Sequence, residues 1–230
     1  MISKTKVMKN KILFVVTSHS QLGDSGRKTG YFLSEVTHPW SVLGEKYDID
    51  VVSPKGGRPP VDGFDLNDPI NRKFWDNPDW QDQMSATLRP EQVDPNQYRA
   101  VFFAGGHGAM FDLPDNVALQ KIVATIYDNG GYVAAVCHGP AGLFNVRLTD
   151  GSPLMKGKKF DCFTNEEEKE NGTVPFMPYL LQSSLEEKGG VFEGAAPWTD
   201  KVVVDGRLIT GQNPMSALSL GKALLEALDK

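Results

Sequence analysis

The sequence predicts an α/β sandwich built on a mostly parallel central sheet flanked by helices. Two observations carry this. Short apolar, β-branched runs alternate along the chain with stretches of helical spacing, the pattern of a sheet covered by helices. Three loops, from Ser18, Gly105 and Cys137 onward, each follow such a run, and parallel sheets bind ligands at the carboxyl ends of their strands.

Lys11 to Ser18 is an apolar run closed by small polar residues, a buried strand and its loop. Gly30 to Leu43 carries a helix that His38-Pro39 is expected to interrupt. Tyr47 to Pro54 reads as the second strand and Tyr98 to Ala104 as the third, running into Gly105-Gly106-His107-Gly108. Asn116 to Asn129 has helical spacing through Val117, Ile122, Val123 and Ile126, with Gly130-Gly131 as its stop signal. Tyr132 to Val136 is a further strand, and a helix-like stretch, Ala141 to Asn145, comes after the Cys137-His138-Gly139-Pro140 turn. Lys201 to Thr210 predicts a hairpin with an Asp-Gly turn, and Ser216 to Leu228 a final amphipathic helix. Residues 55–95, rich in Pro, Asp, Asn and Trp, are expected to form a largely irregular insertion covering one end of the sheet. A second insertion is expected at 151–188.

At 230 residues, one domain spanning 1–230 is the simplest expectation, long enough for a substantial core. A net charge of −5 argues against a nucleic-acid partner. Two cysteines, Cys137 and Cys162, make no disulfide framework and point to a reducing, cytoplasmic setting. No run is long enough to span a bilayer, and the basic, polar start from Met1 to Lys11 has no signal-peptide core, so no membrane partner is expected.

The chemistry concentrates at Cys137. A strand that ends abruptly in a thiol before a sharp Gly-Pro turn displays a nucleophile, and a helix N-terminus just beyond it would favour the thiolate. An exposed thiol of that kind is open to oxidation. His138 fits a base or proton shuttle, although adjacency alone does not make a Cys-His pair. Glu35 sits among aromatic and β-branched neighbours; buried, it would stay protonated and hydrogen-bond the sulfur. Backbone N–H groups of Gly105 and Gly106, with that of His138, can form an oxyanion hole, and the spacing fits no phosphate-binding loop. His107 faces a ligand or is an ordinary loop residue. One of Glu166, Glu167, Glu168 and Glu170 can orient His138 as the third member of a triad, and the residues leave open which. The histidines at 19, 38, 107 and 138 show no metal-ligand spacing, so no metal is expected.

Several segments, in this order, resemble the DJ-1/ThiJ/PfpI superfamily and its Hsp31-like branch: Glu35-Val36-Thr37-His38-Pro39, the run from Phe103 to Pro114, Ala135 to Pro140, Phe163-Thr164-Asn165-Glu166-Glu167, and Thr210 to Ala217. The resemblance implies a flavodoxin-like fold of the class I glutamine amidotransferase type with Cys137 at a nucleophile elbow. It implies that Glu35 contacts the thiol, that Gly106 and His138 supply oxyanion N–H groups, and that Glu168 stands where the partner of His138 belongs. It further implies a homodimer, no cofactor, and glutathione-independent glyoxalase activity of the glyoxalase III, D-lactate dehydratase type. Such an enzyme converts methylglyoxal, a small 2-oxoaldehyde, to lactate. Rival readings are a stress chaperone or protein deglycase, with a holding surface near Trp75 and Trp80, and a Cys-His amidohydrolase or peptidase.

Overall fold

The apolar runs become strands of a six-stranded sheet, and the loops after three of them gather at one edge. The computed structural model describes residues 10–230; residues 1–9, most of the basic start, lie outside the described residues. In chain order the elements are β1 (Lys11–Val15), β2 (Tyr31–Phe32), α1 (Leu33–Leu43), β3 (Asp48–Val52), β4 (Val61–Asp62), α2 (Pro69–Trp75) and α3 (Pro78–Ser85). Next come β5 (Tyr98–Phe103), α4 (Ala109–Asp112), α5 (Val117–Asp128), β6 (Tyr132–Val136), β7 (Lys159–Phe160), α6 (Asn165–Glu170) and α7 (Leu181–Glu187). The chain finishes with β8 (Val191–Phe192), β9 (Val202–Asp205), β10 (Leu208–Gly211) and α8 (Ala217–Leu228).

The main sheet has the order β3-β1-β5-β6-β10-β9, parallel throughout except for the antiparallel β9–β10 hairpin. Its central strands are apolar on both faces because helices cover both. Leu13, Val101, Phe103 and Val133 pack toward α5, while Phe14, Phe102, Ala134 and Ile209 pack toward α1 and α8. The hairpin turns at Gly206, whose φ of +61° meets the demand of a tight loop. The α5 ends match their sequence signals: the Asn116 side chain accepts from Leu119 N–H, and Gly130, at φ +87°, closes the helix. Among the described residues no helix is long and apolar enough to cross a membrane.

Two local expectations change. Helix α1 is not interrupted at His38-Pro39 but runs through Pro39 to Leu43. A proline inside a helix costs about 3 kcal/mol locally, yet here its ring lies on the buried face, against α8 at Gly221. A Cβ at Gly221 would stand 2.8 Å from the Pro39 Cα, so the two helices meet nearly backbone to backbone. Packing of the apolar face outweighs the lost hydrogen bond.

The segment 55–95 carries two short helices among its turns. Each starts the same way: Asp68 caps α2 and Asn77 caps α3, with Pro69 and Pro78 in the first helical turn. The segment packs along α1 and β3, and Asp62, Gly63, Asp65, Asp68 and Asn71 border the cavity at the carboxyl end of the sheet. Trp40, Phe74 and Trp80 form an aromatic cluster with ring centroids 5.1–5.6 Å apart, and Gln83 Nε2 donates to the Ile49 carbonyl at 2.6 Å. Trp75 and Trp80 are therefore half-buried packing residues. The 151–188 segment carries β7, α6 and α7 and delivers one wall of the site at the sheet edge.

The α1–α8 contact makes a direct prediction. Gly221→Val places a branched side chain against the Pro39 backbone and lowers unfolding free energy by about 1–3 kcal/mol. Urea unfolding checks it; unchanged stability would show that the two helices can part without cost.

Candidate active site

Strand β6 ends at Val136, and Cys137 comes next with φ at +59°, a left-handed conformation rare for a residue with a side chain. Two backbone hydrogen bonds hold it there. Cys137 N–H donates to the Gly211 carbonyl at 2.8 Å, and Phe163 N–H donates to the Cys137 carbonyl at 2.9 Å. The turn is thus tied to β10 on one side and to the start of the α6 region on the other. Beyond it the chain forms a short 3-10 segment, Gly139–Leu143, in place of the expected helix over 141–145. Pro140 and Gly142 suit a tight turn better than a continuing α-helix.

The thiol is only 3% exposed, so the expectation of an exposed, thiolate-favouring sulfur is corrected. Burial pushes its pKa well above 9.0 and the neighbouring Glu35 carboxyl adds to the rise. The backbone N–H groups of Gly106 and His138, which lie against the sulfur, act the other way. The short 3-10 segment offers no long helix dipole to reverse the balance.

Glu35, in the first turn of α1, is fully buried beside this sulfur. Its Oε2 accepts the Gly105 N–H at 2.7 Å. Burial raises its pKa to about 8 against the opposing hydrogen bonds from Cys137 and Gly105, so near neutral pH the carboxyl keeps its proton beside the sulfur. This changes the expectation for Gly105: its N–H is engaged by Glu35 and does not face the cavity. Gly106 and His107 do line the cavity. A side chain at Gly106, at φ +91°, would run into the Gly30 carbonyl, so glycine is required for this close approach.

On the other side of the sulfur stands His138, whose Nδ1 is 3.3 Å from Sγ. Its Nε2 donates to Glu168 Oε2 at 2.8 Å, which fixes the tautomer and leaves the Nδ1 lone pair toward the thiol. Burial lowers the pKa of His138, as does His107, against the pull of Glu168. Glu168 also accepts from His107 Nε2 at 3.1 Å and from the Thr173 hydroxyl. Burial would raise this carboxyl, but the two histidines outweigh it and hold it well below the usual carboxylate range.

The four candidate glutamates separate because successive helix residues point in different directions. Thr164 caps α6 through a capping box with Glu167. Glu167 turns away from His138 and accepts from Trp198 N–H and the Asn213 side-chain amide, at 2.8 and 2.7 Å. Glu170 accepts from the Trp198 indole N–H at 2.7 Å. Of the four, Glu168 is the one hydrogen-bonded to His138.

The potential ligand atoms of His107, His138 and Glu168 lie within 4.8 Å of one another, a grouping no spacing in the sequence displays. All three expected loops border one cavity of about 640 Å³, the first through Leu22, Arg27 and Lys28, the others through Gly106, His107, Cys137 and His138. Thr173, Trp198 and Phe163 carry no local pattern that marks them as site residues, yet all three stand at the site, the Phe163 ring 4.5 Å from that of His138. The Trp198 loop is held by Gln212 and Asn213, which in the sequence stand out only as part of the Thr210 to Ala217 segment.

The geometry has counterparts among known proteins. A model of the DJ-1/PfpI family matches residues 28–173. The chain belongs to the DJ-1/PfpI family. Among its curated relatives, Glyoxalase 3 of Candida albicans is 35% identical over 95% of this chain and 98% of its own length. Glutathione-independent glyoxalase HSP31 of Saccharomyces cerevisiae is 34% identical over the same shares. Among solved structures, the Rapid Encystment Protein 24 KDa of Francisella tularensis superposes with a TM-score of 0.92 at 38% identity, covering 96% of this chain and 99% of that one. Glyoxalase III of Candida albicans superposes at 0.86 with 34% identity, covering 94% and 96%. As a DJ-1/PfpI member the chain has the family's mostly parallel sheet flanked by helices.

Glu35 gives a pH prediction. The folded protein holds this proton up to about 8, whereas an unfolded glutamate releases it near 4.5, so stability falls as pH rises through that window. Glu35→Gln carries no such proton. Its stability relative to wild type therefore rises with pH between 4.5 and about 8. A difference that stays flat in urea unfolding would mean that Glu35 is ionised in the fold.

Proposed function

We propose that this protein is a glutathione-independent glyoxalase that converts 2-oxoaldehydes such as methylglyoxal to 2-hydroxy acids such as lactate. The observation that carries the reading is the relay Cys137–His138–Glu168, 3.3 and 2.8 Å in its two steps, with protonated Glu35 across the sulfur at the base of the cavity. The names of the curated relatives and of the Candida albicans structure support the same reaction.

The pKa values suit it. A thiol held neutral by burial needs a base at contact, and neutral His138 offers Nδ1 there. As Sγ bonds to the aldehyde carbon C1, the thiol proton passes to Nδ1. The imidazolium that forms is stabilised by Glu168, already ionised. The oxygen on C1 becomes an oxyanion against the N–H groups of Gly106 and His138, then takes the proton to give a hemithioacetal. Neutral His138 next removes the proton from C1, giving an enediolate; that proton returns at C2, and the C1 hydroxyl proton passes to the C2 oxygen. C1 is thereby oxidised to a thioester and C2 reduced to an alcohol. Water adds to the thioester, the Sγ–C1 bond breaks, and the thiol regains its proton. The sum is one 2-oxoaldehyde plus one water giving one 2-hydroxy acid. In this scheme Glu35 is the proton donor that steadies the sulfur as charge develops. His107 shares the Glu168 carboxylate and keeps it directed at the site. A reducing cytoplasmic setting belongs to the same proposal, supported by Cys137 and Cys162 being free and buried, and the homodimer comes with the glyoxalase reading.

The deciding experiment is methylglyoxal turnover without glutathione, read as lactate, for wild type beside Cys137→Ala. Lactate from wild type alone is expected; lactate from both proteins, or from neither, would sink the proposal. Glu168→Gln keeps the shape but loses the acceptor charge that selects the His138 tautomer. Its kcat is expected to fall by about 10²–10⁴-fold with its circular dichroism unchanged. A loss under twofold would remove Glu168 from the relay.

A further inference from the structure

The cavity of about 640 Å³ lies within the ~300–1,000 Å³ that pockets offer to drug-sized ligands. Methylglyoxal is a three-carbon molecule and leaves most of such a space unfilled. The wall beyond Cys137 shows what fills it.

Trp198 is, with Cys137, one of the two described non-glycine residues with positive φ, at +60°. Nothing in its own side chain favours that conformation, so the surroundings impose it. They do so with polar groups, of which Glu167 is buried and Glu170 stands at the surface. Glu167 Oε1 accepts the Trp198 N–H at 2.8 Å, and Glu170 Oε2 accepts the indole N–H at 2.7 Å. On the flanks, Gln212 and Asn213, both fully buried, bind the backbone of Ala195 and of Thr199. The loop is pinned from residue 195 to 199 by groups that take no part in the relay.

The pinned ring is nevertheless 39% exposed and lines the cavity. It meets the Phe163 ring edge-on, with centroids 5.5 Å apart, and Phe163 in turn lies against His138. A rigid, accessible indole continuous with the rings beside the nucleophile is a platform for a flat apolar group. Asp62, Asp65 and Asp68 also line the cavity and supply its acidic part, a poor environment for such a group.

We propose that Trp198 is the residue that sets how this cavity ranks 2-oxoaldehydes bearing an aromatic group against methylglyoxal. The inference rests on the glyoxalase reading above. For phenylglyoxal the chemistry balances as before: the aldehyde carbon is oxidised to the acid, the ketone carbon is reduced to the alcohol, and one water is taken up to give mandelate.

The test compares kcat/KM for phenylglyoxal and methylglyoxal, without glutathione, in wild type and Trp198→Asn. Asparagine tolerates the left-handed backbone, and Trp198→Gly serves if it does not fold. Methylglyoxal is the internal reference that removes differences in intrinsic reactivity. The phenylglyoxal-to-methylglyoxal ratio is expected to fall by about tenfold in Trp198→Asn, the scale of a lost aromatic stacking contact, mainly through KM, with Trp198→Phe restoring most of it. An unchanged ratio overturns the proposal. If wild type converts neither aldehyde, the glyoxalase reading fails, and calorimetric binding to the Cys137→Ala protein decides this one separately. Mandelate binding tighter than lactate and weakened by Trp198→Asn upholds it; equal affinities overturn it.

Discussion

Everything at the site depends on one backbone constraint, the left-handed turn at Cys137. A residue in that conformation cannot continue strand β6, so the chain reverses within one residue and leaves the sulfur at the carboxyl edge of the sheet. The bonds that hold it, to Gly211 of β10 and to Phe163, come from distant parts of the chain. The same two ties bring the α6 region, and with it Glu168, across from the thiol. The strained turn and the relay are therefore one assembly, and the well-packed sheet supports both.

Two buried carboxyl groups then divide the chemistry between them. Glu35 lies fully buried against the Cys137 sulfur and the Gly105 N–H, and burial keeps it protonated to about 8. Glu168 is nearly as deep, but two histidines and a threonine donate to it, and it stays ionised. Environments that push like groups apart are how one pocket holds an acid and a base together near neutral pH. The sulfur lies between them, with a proton donor on one side and a proton acceptor, His138, on the other. A thiol poised this way needs no standing negative charge; its proton leaves only when a carbonyl carbon arrives to take the electrons.

The second non-glycine residue at positive φ repeats the design at the cavity wall. Trp198, like Cys137, is held by partners far away in sequence. Adjacent glutamates serve the two functions: Glu168 faces the relay and Glu167 faces the loop that carries the indole. A single turn of α6, with its capping box at Thr164, thus sets the geometry of both the reacting groups and the wall above them.

Much of this was legible in the residues. The apolar runs, their alternation with helical spacing and the stop signals at Gly130-Gly131 and Gly206 are local properties, and they determined the order of the strands and helices. Cys137, His138 and the glycine loop at 105–108 were visible for the same reason, because a thiol ending a strand before Gly-Pro is a local pattern. What the tertiary structure alone decided was every property that depends on a distant neighbour. It carried α1 through Pro39 by packing it on Gly221, chose Glu168 over Glu166, Glu167 and Glu170, and gave the Gly105 N–H to Glu35. It also raised the Cys137 thiol where its turn suggested the opposite. Periodicity and turn chemistry act over a few residues and are written in the chain; burial, carboxyl protonation and side-chain pairing are set by which surfaces meet when the sheet closes.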